Sequence, residues 1–588
     1  MRKNKMILLL VVVLLCSTSA CQHSQVKRDS TEKRTSSMIL LTTPWEGTTV
    51  PIQIPAKEPT FVPDNTTVSA SEDTITPMPT VIAAPTEKPV ITSTVTPTTK
   101  PTVAPTTKPT VTPTAKPTLT PTEKPTVTPT TKPTVTPTIK PTAKPTATTV
   151  PASTTNKVDL SKSEKIPVIY IETENAAKVF SRTEYVNCEV SVYNAAQKYM
   201  LKSETAGIRV RGNSSAYGGD KQKILANQVP YRIKFEKKTN LLGLNDDAQC
   251  KSWVLLRADQ AVVRDDVAFR FGRVILGDKY YCSDGQLVHV YLNGELKGNY
   301  LLCEQSQVNK YRVNVTEPEE NYTGTDIGYF VEIDNYANAQ EHPFFQMNYE
   351  KATVTDIEGN TQKFSVSNYS VKSDTYSKEQ ENFISNYIKN VFYIVYQACE
   401  KGKYYGFDKN YNVVASAYDN AQDTVGAVMD LDSVVASYIV EEIMHDYDCG
   451  EGSFFMCVDF AEEGKYKKLT FLCPWDYNWT CFEDAKGRYY AAAFNKADFI
   501  NRFGDRSNPW FILLMKEDWF QQKVKEKWTA LQKENLLAAV LKEERNILKE
   551  YKADLNRQSS IETGTANAVL NWIENRIQWL DEEWMLKE

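Results

Sequence analysis

Histidine is almost missing from this chain, with only His23, His289, His342 and His445 in 588 residues. A multi-histidine metal centre is therefore not expected, and the chemistry has to rest on other groups. No C-x-x-C pair occurs, so a structural zinc site is not expected either. Charge of one sign is lacking too: 68 Lys and Arg stand against 73 Asp and Glu. That balance excludes a strongly basic nucleic-acid binder. After residue 21 no apolar run is long enough to cross a bilayer. Proline is scarce over most of the length: Pro167, Pro230, Pro318, Pro343, Pro474 and Pro509 are the six that follow Pro151. The other 23 of the 29 lie between Pro44 and Pro151. The composition thus blends a proline-rich segment with an ordinary globular region of about 430 residues.

The N-terminus reads as an export signal. Arg2, Lys3 and Lys5 precede an apolar run from Met6 to Cys16, and small residues follow up to Cys21. The stretch S-T-S-A-C resembles a bacterial lipobox, with Thr18 in place of the usual aliphatic residue. Cys21 is then the expected lipidation site, anchoring an exported protein to the outer face of the cytoplasmic membrane; ordinary signal cleavage beside a chance cysteine is the alternative. From about Gln22 to Lys157 no apolar periodicity is visible, and between Pro97 and Pro145 proline recurs every fourth residue. Each proline fixes φ and biases its predecessor away from helix, so the segment is expected to be a disordered, extended spacer. The expected organisation is a signal over 1–21, a linker over 22–157 and one domain over 158–588. Nine cysteines remain from Cys188 onward, several inside apolar runs such as Y-L-L-C and F-F-M-C, where buried free thiols are expected.

Residues 158 to about 370 are rich in short β-branched and aromatic runs, including G-I-R-V-R-G, Y-R-I-K-F, L-V-H-V-Y-L and G-Y-F-V-E-I-D, with an N-G turn at Asn293–Gly294. Helical periodicity crosses Arg264 to Leu276. From Ser377 onward it dominates: Gln380 to Lys401, Asp432 to His445, Trp519 to Arg557 and Thr563 to Trp584. Two strand-like runs, S-F-F-M-C-V-D-F and K-L-T-F-L-C-P-W-D, form an embedded hairpin. A strand-rich first half and a helical second half predict an α+β fold.

Three constellations carry possible chemistry. In G-I-R-V-R-G, Arg209 and Arg211 share one side of a strand, and in Y-R-I-K-F so do Arg232 and Lys234. Two pairs of cations flanking a turn rich in backbone donors suit a polyphosphate, although a solvated basic strand face would look the same. H-D-Y-D-C-G-E-G-S, His445 to Ser453, places Ser453 five residues after Asp448, the spacing between base and magnesium ligand in a kinase catalytic loop. P-W-D-Y-N-W offers Asp476 and Asn478 at the end of the next strand. Phosphoryl transfer needs a base for the attacking hydroxyl, oxygen ligands for a metal, and cations on the phosphates. These three segments supply all three.

Together with W-V-L-L-R-A-D, V-Y-L-N-G-E-L-K-G-N-Y-L-L-C-E-Q and D-L-D-S-V-V-A-S-Y-I-V-E-E-I, these motifs resemble the CotH family, the spore-coat protein H kinases, from roughly Ile166 to Trp584. The resemblance implies an atypical protein-kinase-like fold that uses ATP and magnesium to phosphorylate serine or threonine of secreted or envelope proteins. It implies Asp448 as catalytic aspartate and Asp476 as metal ligand, with Ser453 and Asn478 as further ligands. Arg209, Arg211, Arg232 and Lys234 would face the nucleotide, and Glu304 would pair with one of those cations. The sequence departs from the family where Asp446 stands at an asparagine of N-x-D, where Ser453 fills an asparagine slot, and where Asn478 replaces a second aspartate. The alternative function is a non-catalytic surface binding or scaffolding protein that keeps the fold. No nucleic-acid partner is expected.

Overall fold

Along the first strands apolar residues alternate with polar ones, and the alternation closes a barrel. The computed structural model describes residues 164–587, apart from breaks at 213, 218–228, 258–261, 335, 340–341, 350–352, 482–483, 497–499, 501–503 and 559–562. The signal segment, Cys21, the proline-rich linker and most of the turn that follows Arg211 lie outside the described residues. Seven strands form the barrel: β1 Val168–Thr173, β2 Val186–Tyr193, β3 Leu201–Val210, β4 Tyr231–Thr239, β5 Cys250–Arg257, β6 Gly285–Leu292 and β7 Glu295–Glu304. Their order is β1-β2-β3-β4-β5-β7-β6, closed by parallel pairing of β1 with β6. Ile171, Val190, Ile208, Ile233, Trp253, Val288 and Tyr300 fill its interior. Because side chains alternate across a strand, Arg209, Arg232 and Lys234 point outward. The N-G turn between β6 and β7 has positive φ at both Asn293 and Gly294, the hairpin geometry that these two residue types tolerate.

Helix α1, Val262–Leu276, lies on the outside of the barrel, where Val263, Val267 and Phe271 share a core with Val254, Leu287, Leu301 and Cys303. A second sheet follows, made of β8 Gly328–Ile333, β9 Phe344–Met347, β10 Ser367–Val371, β11 Phe454–Asp459 and β12 Thr470–Leu472, in the order β12-β11-β8-β10-β9. The expected hairpin is therefore present as β11 and β12. It does not stand alone among helices, because β11 pairs along its whole length with β8 from the first half. Phe330 and Phe455 stack across that junction at 5.2 Å.

The remaining helices of more than one turn are α2 Lys378–Lys401, α3 Ala421–Val428, α4 Leu431–Met444, α5 Pro509–Leu514, α6 Asp518–Lys533, α7 Leu536–Glu550 and α8 Thr563–Trp584. Ser377 and Gln380 form a capping box that starts α2, and Gly402 ends it in the left-handed conformation. The single helix expected over Trp519–Arg557 is broken: Asn535 adopts φ 55°, a conformation that asparagine tolerates, and starts α7 on a new axis. Every residue of α4 from Ser433 to Met444 is buried, so this helix is a central core element rather than an amphipathic surface one. The mixed fold has the expected distribution, strands first and helices second. All nine described cysteines are free thiols, buried except for the half-buried Cys399.

Candidate functional site

The buried helix α4 delivers one half of the site. It stops at His445, whose φ of 55° turns the chain out of the helix. The next residues form a tight loop in which Glu451 N and Gly452 N donate to the Asp448 carbonyl at 2.9 and 3.0 Å. A second segment clamps this loop from outside: Gly450 N donates to the Arg506 carbonyl at 3.0 Å and Asn508 Nδ2 to the Cys449 carbonyl at 3.1 Å. The fit leaves no room at Gly450, where a Cβ atom would stand 1.9 Å from the Ser507 carbonyl oxygen. Gly450→Ala is therefore expected to displace Asp448 and lower stability by about 1–3 kcal/mol, the range of overpacked sites. Thermal melting and the activity described below check it together.

The loop after β12 delivers the other half. Cys473 and Asp476 both have positive φ, 64° and 72°. Non-glycine residues held in that region concentrate at functional sites. The turn is pinned on both flanks. Trp475 stacks on Phe269 of α1 at 5.4 Å, while Tyr477 N donates to Asp265 of α1 and its hydroxyl to Glu441 of α4, at 2.8 and 3.0 Å. Asp476 is thus held between two core helices.

The two halves meet. Ser453 Oγ donates to Asp476 Oδ2 at 3.4 Å, and Asn478 Nδ2 donates to the other oxygen of the same carboxylate. Asp448 lies within the electrostatic reach of Asp476. Arg211, at the end of β3, sits over the Trp475 ring at 5.6 Å, and the carboxylates of Asp476, Asp265 and Glu332 act on it. Asp476 is exposed to solvent at the point where the two halves meet, with the Ser453 hydroxyl and the Asn478 amide on its two carboxylate oxygens. Burial raises its pKa, opposed by Arg211 and by the Ser453 hydroxyl. Burial also pushes the Asp448 carboxyl up to about 6, opposed by Arg506, whose Nη1 lies 3.5 Å from Asp448 Oδ2. Arg506 also meets Glu451 and lies over the Trp479 ring at 5.4 Å.

The remaining candidates lie farther along the barrel. Arg232 faces Arg209 in register across β3 and β4, and donates to Ser252 Oγ at 3.1 Å. Arg209 covers the Tyr185 ring at 5.2 Å and donates to the Val210 carbonyl at 3.1 Å. Lys234 is exposed in a shallow depression with Tyr185, Gly207, Glu236 and Lys251. These three continue outward the row of cations that begins with Arg211 in the cleft. Glu304 differs from the expectation: its partner is Arg312, at 3.0 Å, with further bonds from Asn245 Nδ2 at 3.2 Å and Asp284 N at 3.4 Å. A fully buried carboxylate takes the cation that can be buried with it, and Arg312 is buried whereas Arg209 and Lys234 are not.

Sequence reasoning passed over Asp265, Glu332, Lys372 and Arg506. Lys372 Nζ lies 2.6 Å from Glu332 Oε2 and 3.4 Å from Asp334 Oδ2, and burial pushes Glu332 up to about 7. The run G-Y-F-V-E-I-D held a usable signal, since two carboxylates at alternate positions of an otherwise apolar strand share one face and need a partner. Arg506 had none, being separated from Asp448 by 58 positions of sequence.

Among the described residues no group of three or more His, Cys, Asp or Glu side chains is arranged to hold a metal ion. Asp476, Ser453 and Asn478 instead offer one carboxylate and two neutral oxygens. That set suits magnesium, which takes one or two carboxylates and draws its other ligands from phosphate and water. A family model described as CotH kinase protein matches residues 208–580. No curated protein matches the chain.

Proposed function

The chain belongs to the CotH kinase protein family, and from that premise we propose that it is an extracellular protein kinase that transfers the γ-phosphate of ATP to serine or threonine of secreted or envelope proteins. Family membership implies the use of ATP; magnesium, the kinase-like reading of the fold and the acceptor class belong to the proposal. The observation that carries it is the convergence of Asp448, Asp476, Ser453 and Arg211, from three distant parts of the chain, on one cleft.

The roles follow from the chemistry. Asp448 takes the proton of the acceptor hydroxyl as its oxygen attacks phosphorus and the bond to the β-phosphate oxygen breaks. Arg211 faces the phosphates, and the outward row of Arg232, Arg209 and Lys234 draws a polyanion toward the cleft. Asp476, Ser453 and Asn478 would hold magnesium, which when bound neutralises phosphate charge. The proposal includes export and lipidation at Cys21, which would hold this activity at the cell surface beyond the proline-rich linker.

A second reading, a surface binding or scaffolding protein without transfer, is favoured by one observation: of Asp476, Ser453 and Asn478 only Asp476 carries a charge, which weakens the hold on a metal. Incubation of the purified protein and envelope proteins with labelled ATP and magnesium separates the two. The kinase reading predicts incorporation into serine or threonine, lost in both Asp448→Ala and Asp476→Ala. No incorporation by the wild type, or equal incorporation by the variants, refutes it.

A further inference from the structure

Behind Asp448 lies a line of carboxyl groups that the roles above do not use. Asp446 is buried, and its side chain is in hydrogen-bonding contact with Asp448 on one side and Glu441 of α4 on the other. Asp448 N also donates to Asp446 Oδ1, at 3.4 Å. Glu441 is buried as well; its Oε1 accepts from the Tyr477 hydroxyl, while its Oε2 has no N–H or O–H donor. An ionised carboxylate only accepts hydrogen bonds, so two carboxyl groups bond to one another only with a proton between them. The groups facing Asp446 are Asp448 from its own loop and Glu441 from α4, with the Cys449 thiol and the Tyr477 phenol beyond. The guanidinium of Arg506 is engaged by Asp448 and Glu451.

We infer that Asp446 is held as the neutral acid and donates a hydrogen bond to Asp448, making it a positioning residue that fixes the base in its ionised, correctly aimed form. The inference rests on the kinase reading for the role of Asp448, but not for the proton. During transfer the acceptor hydroxyl proton goes to Asp448, the new oxygen–phosphorus bond forms and the nucleoside diphosphate leaves, while Asp446 keeps its own proton throughout. Burial and the two flanking carboxyls raise Asp446 well above the usual carboxylate range, in line with this state, and burial pushes Glu441 up to about 8, opposed by its hydrogen bonds with Tyr477 and Asp446.

The native state holds protons here that the unfolded chain releases at ordinary carboxylate values, so stability falls as pH rises from the acid range toward about 8. At the alkaline end Asp446 ionises beside an ionised Asp448, the two repel, and transfer declines. Asp446→Asn supplies a permanent neutral donor of the same shape.

The experiment compares the full-length wild type with Asp446→Asn and Asp446→Ala. It follows transfer against pH, thermal stability against pH, and the infrared band of protonated carboxyl groups. Asp446→Asn is expected to retain transfer at neutral pH, to lose the alkaline decline, to flatten the loss of stability with pH, and to remove part of the protonated-carboxyl band. Asp446→Ala is expected to lower transfer on the order of 10²-fold, the lower end of what a misplaced base costs. Superimposable pH profiles and infrared spectra for wild type and Asp446→Asn would overturn the inference. If the wild type transfers nothing, the kinase reading fails, and the infrared and stability comparisons still decide whether the proton is there.

Discussion

Arg576→Ala is expected to lower the unfolding free energy by about 3–5 kcal/mol, the usual cost of removing one partner of a buried ion pair. Arg576, on α8, is fully buried, and so is its partner Glu442 on α4. Its guanidinium also donates to the carbonyls of Glu442, Ala485 and Arg488 at 3.0, 3.1 and 2.8 Å. It covers the Trp579 ring at 4.5 Å. Truncation therefore leaves a buried carboxylate without its cation, held by the Tyr490 and Ala491 N–H groups, and takes a donor from three carbonyls at once. Whole domains are stable by only about 5–15 kcal/mol, so the loss takes a large share. Denaturant unfolding checks it through a lower midpoint at unchanged slope. A shift worth under about 1 kcal/mol would mean that the pair is solvated or replaced on folding. Glu442 immediately follows Glu441, so the same variant also loosens the end of α4 that leads into the Asp448 loop.

The second large effect is chemical. Asp448→Ala is expected to lower kcat by about 10²–10⁴-fold, the range for loss of a positioned general base. The KM for ATP should change little, because the variant leaves Asp476, Ser453 and Arg211 in place. Because burial pushes the Asp448 carboxyl up to about 6, wild-type transfer should fall as pH drops through about 6, where the base takes up a proton before the acceptor can offer one. Steady-state kinetics across pH test both statements. A rise in KM with kcat preserved would assign Asp448 to binding instead.

Much of the fold could be read from the chain because local rules wrote it. Period-two patterning gave the strands, Asn293–Gly294 the hairpin, and long apolar periodicity all but the first two residues of α2 and the whole of α8. The break at Asn535 escaped, since a left-handed asparagine looks like any polar residue within a helical pattern. The pairing of β8 with β11 escaped for a different reason: it joins segments more than a hundred residues apart, and no local pattern specifies a distant partner. The site divides the same way. Asp448, Ser453 and Asp476 could be singled out because they stand at the spacings the resemblance implies, and the structure brings Ser453 and Asp476 together. Arg506, Asp265 and Lys372 reach the cleft only through tertiary folding. Glu304 shows the limit of resemblance: a strand-end glutamate can be identified in sequence, but which cation is buried beside it is decided by packing, and that cation is Arg312.

The proposed function requires that magnesium and nucleotide bind together through Asp476. Calorimetric titration of ATP into the wild type and Asp476→Ala, with and without magnesium, tests that claim most directly. The account predicts binding by the wild type that depends on magnesium, and a loss of that dependence in a folded Asp476→Ala variant. Absence of wild-type binding, or identical magnesium-dependent binding by the variant, would contradict it.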